Sequence, residues 1–245
     1  MSTRLSVNVN AVAQLRNRRN LPWPSVTGIA RLVLETGADG ITVHPRPDER
    51  HIRRTDVFEL QTLLRRDFPQ AEYNIEGYPS AEFLDLVEKA MPDQVTFVPD
   101  TPEQATSDHG WEVAGSRDVL IPAIGRMKAL GIRVSLFIDE DPAVPAAAKD
   151  IGADRIEIYT APYGGAFEEP GRSIHLENIR KTAAAAHALG LGVNAGHDLT
   201  LQNLPALKSA VPQLMEVSIG HAITADALLM GFPEAVRRYQ AALAV

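Results

Sequence analysis

The sequence predicts an α/β chain folded as a (β/α)8, or TIM, barrel, one domain over residues 1–245. Three observations predict it. Eight short runs rich in β-branched residues alternate with eight stretches whose apolar residues recur at helical spacing. Several helical stretches stop at a glycine just before the next run, as in ETGADGI, ALGIRV, DIGADRI and ALGLGV. A chain of 245 residues also has the length of one such barrel. A doubly wound sheet is the alternative with the same alternation.

The strand runs are LSVNVN (5–10), GITVHP (40–45), EYNIEG (72–77), QVTFVP (94–99), RVSLFID (133–139), RIEIYTAP (155–162), GVNAG (192–196) and MEVSIGHA (215–222). The helical stretches between and after them cover 26–38, 56–68, 80–91, 118–131, 143–153, 176–190, 204–211 and 225–244. GADGIT and GADRIE are near-copies, the mark of a repeated βα unit. PYGGAFEEPGRS (162–173) is rich in Gly and Pro and reads as a mobile lid.

The bulk numbers exclude several classes. A net charge of −7 argues against a general nucleic-acid binder, so positive charge for an anionic ligand must be concentrated locally. Cysteine is absent, which removes disulfides, thiolate metal sites and cysteine nucleophiles. No apolar run reaches the ~20 residues of a membrane span, and the first residues lack a signal-peptide pattern. A cytoplasmic protein is expected.

Alternation within the strands points to a site. Val7 and Val9 take one face of the first strand, Asn8 and Asn10 the other; Ile41 and Val43 likewise oppose Thr42 and His44. Ile75 opposes Asn74 and Glu76, Ile156 and Ile158 oppose Glu157 and Tyr159, and Val217 and Ile219 oppose Ser218 and Gly220. The apolar face packs on helices, so the polar face points into the barrel, where burial is costly without hydrogen bonds. These residues lie toward the C-terminal strand ends, where barrels keep their chemistry.

The charged groups expected at the mouth are Glu76, Asp139, Glu157, His44, His51, His197, His221, Arg46 and one or both of Arg18 and Arg19. Histidine titrates near neutrality and suits proton transfer, with a carboxylate to orient it or share the proton. The five lysines all fall in helical stretches, so a Schiff-base mechanism is not expected. His44, His197, His221 and Glu157 could converge on a divalent ion, but no H-x-H or H-E-x-x-H pair supports a metal site. Gly220-His221 follows the last strand and opens a helix, the usual phosphate cradle of a barrel. Arg19 and Arg46 could supply forks to phosphate oxygens. A metal-dependent hydrolase and a non-catalytic sensor of phosphorylated metabolites are the alternatives on the same barrel.

Eight segments, VNVNAVAQLRN (7–17), GADGITVHPRPDERHI (37–52), NIEG (74–77), GWEVAG (110–115), VSLFID (134–139), IEIYT (156–160), VNAGHDLT (193–200) and IGHAI (219–223), together resemble the pyridoxine 5′-phosphate synthase family over nearly the whole chain. The resemblance implies a homo-octameric barrel with no organic cofactor and no catalytic metal. It implies condensation of 1-deoxy-D-xylulose 5-phosphate with 3-amino-2-oxopropyl phosphate to give pyridoxine 5′-phosphate, inorganic phosphate and water. Carried over by motif, His44 is the proton acceptor, Glu76 the catalytic glutamate, His197 the proton donor and Glu157 the transition-state stabiliser. Asn8, Arg19, Asp198 and Gly220-His221 match positions that hold the aminoketone phosphate. Asn10, Ala11, Arg46, His51 and Thr106 match positions that hold the deoxyxylulose phosphate. The chain departs from the common pattern at Asn10-Ala11, where many members have Asp-His, and at Asp198, where many have Gly. Partners other than phosphorylated small molecules, such as nucleic acid or membrane, are not expected.

Overall fold

The computed structural model describes residues 2–19, 21–101, 104 and 106–244. Eight parallel strands close a barrel in chain order: β1 (Arg4–Asn8), β2 (Gly40–Val43), β3 (Glu72–Gly77), β4 (Gln94–Phe97), β5 (Arg133–Ile138), β6 (Arg155–Tyr159), β7 (Gly192–Gly196) and β8 (Leu214–Ile219). β8 pairs with β1, with Val7 opposite Ile219. The helices are α1 (Asn10–Asn17), α2 (Val26–Glu35), α3 (Arg54–Asp67), α4 (Ala81–Ala90), α5 (Arg117–Ala129), α6 (Val144–Asp150), α7 (Ala161–Gly165), α8 (Gly171–Ala188), α9 (Leu204–Ala210), α10 (His221–Met230) and α11 (Phe232–Leu243).

The helices form where apolar spacing and caps agree. α2 buries Val26, Ala30, Val33 and Leu34, one stripe at 3.6-residue spacing, and Ser25 caps it by accepting from Gly28 N–H at 3.0 Å. α4 starts the same way, with Ser80 accepting from Phe83 N–H. Outward strand residues such as Ile41, Ile75, Val95, Leu136, Ile156 and Val217 are fully buried beneath helix residues such as Leu60, Val87 and Leu120. Each such side chain contributes about 1.5–3 kcal/mol on burial.

Three differences from the sequence expectations concern element ends. Several strands stop two or three residues early, because pairing ends where the chain turns outward into the mouth loops: Asn10 already opens α1 and His221 already opens α10. Among the described residues there are eleven helices, not eight. α1 and α7 fill loops, and the last helical stretch divides at Gly231, whose φ of 79° an L side chain rarely adopts. The segment 162–173 is not one open loop. α7 occupies its start, with Tyr163 buried and its hydroxyl donating to Asn203 C=O at 2.8 Å, and α8 begins at Gly171.

The inward faces are polar through the depth of the barrel. At its floor, Glu72 pairs with Arg4 and Arg133, and Arg155 lies 3.6 Å from Glu216 and donates to Asn194. Burial, with Glu72 alongside, holds the Glu216 carboxyl well above its ordinary range. At mid-height Ser6, Thr42, Asn74 and Thr96 form a buried hydrogen-bonded row. Thus Asn74, read from its parity as part of the site, satisfies its neighbours instead, as a buried amide must.

Candidate active site

The mouth holds a cavity of about 390 Å³ lined by Asn8, Asn10, Ala11, His44, Arg46, His51, Glu76, Thr106, Glu157, His197, Asp198, Gly220 and His221. The arginines expected beside α1, and Asp139, are missing from this group. Arg19 lies past the end of α1, exposed and outside the lining, as does Arg18. Of the remaining expected groups, Asp139 accepts from Gly110 N–H rather than facing the cavity.

The first strand and helix place the second loop. Asn8 accepts from Asn10 N–H at 3.0 Å, and Asn10 accepts from His44 N–H at 3.0 Å, so Asn10 ties β1 to the residue after β2. Ala11 offers only a methyl to the cavity. One turn on, Arg16 forms a buried pair with Asp56, and Asn17 Nδ2 donates to the carbonyls of Glu49, Arg50 and His51. This clamp fixes His51. Its Nδ1 accepts from Ile52 N–H at 2.9 Å, which requires a neutral ring there and leaves Nε2–H as the donor. Burial, then Arg46 and Arg50, push its pKa down to about 4.

That shift has a sign that can be tested. As pH falls through 6.5 the unfolded chain binds a proton that the native His51 refuses until about 4, so stability is lost across that window. Discounted for partial exposure, the loss from this residue by pH 5 is about 1–2 kcal/mol. Chemical denaturation at pH 7 and pH 5 should show a smaller difference for His51→Asn than for the parent; an equal difference would remove His51 from the cause.

His44 and Glu76 face each other, with Nδ1 and Oε2 4.0 Å apart. Both are buried. Burial, then Arg46, His51 and His197, hold His44 well below its ordinary value; burial, then Glu157 and Asp100, hold Glu76 well above its own. Both shifts favour the uncharged forms, a neutral imidazole beside a carboxyl that keeps its proton to higher pH than usual, over an ion pair. Burial pushes Glu157 up to about 7. His197 is lowered by burial, against the pull of Asp198 and Asp100. Its ring lies against Phe137 and Tyr159, with centroids 5.3 and 5.4 Å away.

His197 and Asp198 have φ of 77° and 53°, left-handed values that cost a non-glycine residue about 1–3 kcal/mol. The turn is held from both sides. Thr160 Oγ1 donates toward Gly196 C=O and His197 C=O, each at 2.6 Å, and Asn203 Nδ2 donates to Asp198 C=O at 2.9 Å. Gly164 packs so close that a Cβ would stand 2.5 Å from Asp198 O.

Opposite, α10 begins at the cavity edge. Its first ladder bond is Thr224 N–H to Gly220 C=O, so the N–H groups of its first turn point out of the helix end, where an anion is favoured. Gly220 touches Asn8, with 3.1 Å from its would-be Cβ to Asn8 O. Arg46 faces the cavity from the other side. Among the described residues no group of three His, Asp or Glu side chains is arranged to hold a metal ion.

The model of the family described as pyridoxal phosphate biosynthesis protein PdxJ matches residues 5–245. The chain belongs to the PdxJ family. Relatives named pyridoxine 5′-phosphate synthase include one from Brucella anthropi, 59% identical over 245 residues with all of both chains covered. Another, from Brucella abortus, is 58% identical over the same span. Solved structures share the fold alone. One from Aquifex aeolicus VF5 has a TM-score of 0.66 at 15% identity, covering 98% of this chain and 92% of that one. The HMG-CoA lyase from Brucella melitensis has a TM-score of 0.60 at 13% identity, with 98% of each covered.

Membership in the PdxJ family leaves the geometry to say which residues form the cavity. Gln14 and Ser107, which were not singled out in the sequence, also line it, as does Tyr159, which parity alone had turned inward. Two carried a signal: Gln14 sits one turn beyond Asn10 on the same helix face, and Tyr159 has the inward parity of Glu157. Conversely, the GWEVAG segment is structural. Trp111 N–H donates to Phe137 C=O and its indole to Phe97 C=O, each at 2.9 Å, pinning the segment to β5 and β4. No helix among the described residues is long and apolar enough to cross a membrane.

Proposed function

We propose that the protein is a pyridoxine 5′-phosphate synthase that joins 1-deoxy-D-xylulose 5-phosphate to 3-amino-2-oxopropyl phosphate, with release of inorganic phosphate and water. The observation that carries this reading is the convergence of His44, Glu76, Glu157 and His197 in one cavity, in a chain 59% identical from end to end to a relative of that name. The cavity supplies what imine chemistry needs: a neutral base, a protonated acid and cationic or N–H groups at its edges for phosphates.

The steps follow from the protonation states. The aminoketone's amine attacks the sugar ketone, and the Glu76 carboxyl gives its proton to the oxygen that leaves as water, forming an imine. Neutral His44 takes a proton from carbon to give an enamine, and phosphate leaves from the deoxyxylulose part. Carbon–carbon bond formation at the aminoketone's carbonyl carbon closes the ring, and that oxygen leaves as a second water as the ring becomes aromatic. His197, neutral in the unliganded site, must take up a proton before it can give one on the opposite side. Asn8 and the first turn of α10 hold one phosphate; Arg46, His51 Nε2–H and Thr106 hold the other. Asn10 contributes neutral hydrogen bonding where a charged residue is common, and Asp198 contacts ligand through its backbone.

A homo-octamer in the cytoplasm belongs to the same reading. Leu228 and Leu229 on α10, 77% and 85% exposed, support an assembly that covers them. Sedimentation would check its size. The reaction is tested by mixing both substrates, the aminoketone generated in place, and following pyridoxine 5′-phosphate and phosphate release without added metal. Product that needs both substrates is expected; none from folded protein would overturn the reading.

A further inference from the structure

We propose that Asp100 is a positioning residue for the reaction: it fixes the Arg46 guanidinium and, through Ser107, the segment that carries Thr106, so that two phosphate-binding groups from different loops arrive as one unit. The proposal rests on the assignment of Arg46 and Thr106 to the deoxyxylulose phosphate.

Asp100 stands three residues beyond β4, and nothing in its sequence context marks it except its inward parity. Its Oδ2 accepts from Arg46 Nη2 and from Ser107 Oγ, the latter at 2.6 Å. The Arg46 and Asp100 side chains are 4% and 3% exposed. The other Asp100 oxygen is buried with no donor among the described residues, so Arg46 and Ser107 are the groups that this carboxylate meets there.

The rest of the contact set points the same way. Arg46 Nη1 donates to Gln104 C=O at 3.1 Å and more distantly to Thr101 C=O, while Arg50 Nη1 donates to Gln104 C=O at 2.8 Å. Thr101 N–H in turn donates to Gln104 Oε1 at 2.6 Å. The loop after β2 is thus bound to the segment after β4 through Arg46 and Arg50, and among the described residues Asp100 is the one carboxylate that hydrogen-bonds Arg46. An arginine with two of its nitrogens so committed keeps a fixed orientation and offers its remaining N–H groups to the cavity. Asp100 also adds to the negative potential that keeps the Glu76 proton in place.

The test is Asp100→Asn and Ser107→Ala in the full chain, with Asp100→Glu as the conservative variant. KM for each substrate, kcat and its pH profile are measured, together with calorimetric binding of 1-deoxy-D-xylulose 5-phosphate alone. Asp100→Asn should raise KM and Kd for the deoxyxylulose phosphate about 10–100-fold, the range for misplaced binding groups. KM for the aminoketone phosphate should stay unchanged, and the basic limb of kcat should move to lower pH. Ser107→Ala should show the same selectivity more weakly, and Asp100→Glu should recover part of the affinity. A fall in active fraction with both KM values and the Kd unchanged, or a rise in both KM values together, would make Asp100 merely structural and overturn the proposal. If Asp100→Asn does not fold, Ser107→Ala decides: unaltered affinity for the deoxyxylulose phosphate overturns it. Binding without turnover in the parent protein would instead overturn the reaction and leave the Asp100 comparison standing on Kd.

Discussion

His44→Ala is expected to lower turnover by about 10²–10⁴-fold, the usual contribution of one proton-transfer group, with an unchanged circular dichroism spectrum. The residue is buried on the inward face just past β2, and its environment removes the alternative of an electrostatic role: surrounded by Arg46, His51 and His197, it is neutral when the site is empty. A neutral imidazole has a free ring nitrogen to take a proton, and the Glu76 carboxyl 4.0 Å away is raised toward the form that gives one. Glu76→Gln should cost a comparable factor, since the amide keeps the shape and loses the proton. The pH profile supplies a second check. Because burial holds His44 below 6.5, kcat/KM should not begin to fall on the acid side until well below that value. Near-normal turnover in both variants would dismiss the acid–base assignment.

Gly110→Ala is expected to be the most destabilising single methyl in the chain. A Cβ there would overlap the backbone of Ile138 and Asp139 at the end of β5, with no flexible side chain able to yield. Gly110 N–H also donates to Asp139 at 2.8 Å, so a shift that relieved the overlap would break that bond and lever Trp111 from its two carbonyls. Overpacking of this kind costs about 3 kcal/mol or more, which for a chain of this size lowers Tm by about 6–12 °C. Thermal unfolding checks it; a Tm within experimental error of the parent would mean that the two strand ends move apart without cost.

The barrel was legible because each βα unit states itself locally: a β-branched run, a helical stripe and a glycine stop. Parity then selected His44, Glu76 and Glu157, because alternation in a strand is a rigid geometric rule. The parts that escaped have physical reasons. Strand ends were overread because Asn10 and His221 begin helices in the middle of strand-like composition. Asn74 and Asn194 shared the parity of site residues but lie deeper, where they bind other side chains, and depth is not encoded by alternation. Arg19 was expected at the mouth as a cationic group and by motif, and the single chain leaves it on the surface. Asp100 follows a proline after the strand, where parity is easily disregarded, yet its partner lies 54 positions back in the chain.

The junction of β8 with β1 sets the timetable of folding. Thr3 Oγ1 donates to Leu214 C=O across 211 positions, and the last interstrand ladder joins the two extremes of the chain. Loop closure over such a span makes a slow, late event. On the ribosome, at about 5–20 residues per second, β1 waits about 10–40 s for its second neighbour to be made. Throughout that interval the inward row of β1 has polar partners on one side only, and a nascent chain at this stage exposes an unpaired strand edge that a chaperone, or another nascent chain, can reach.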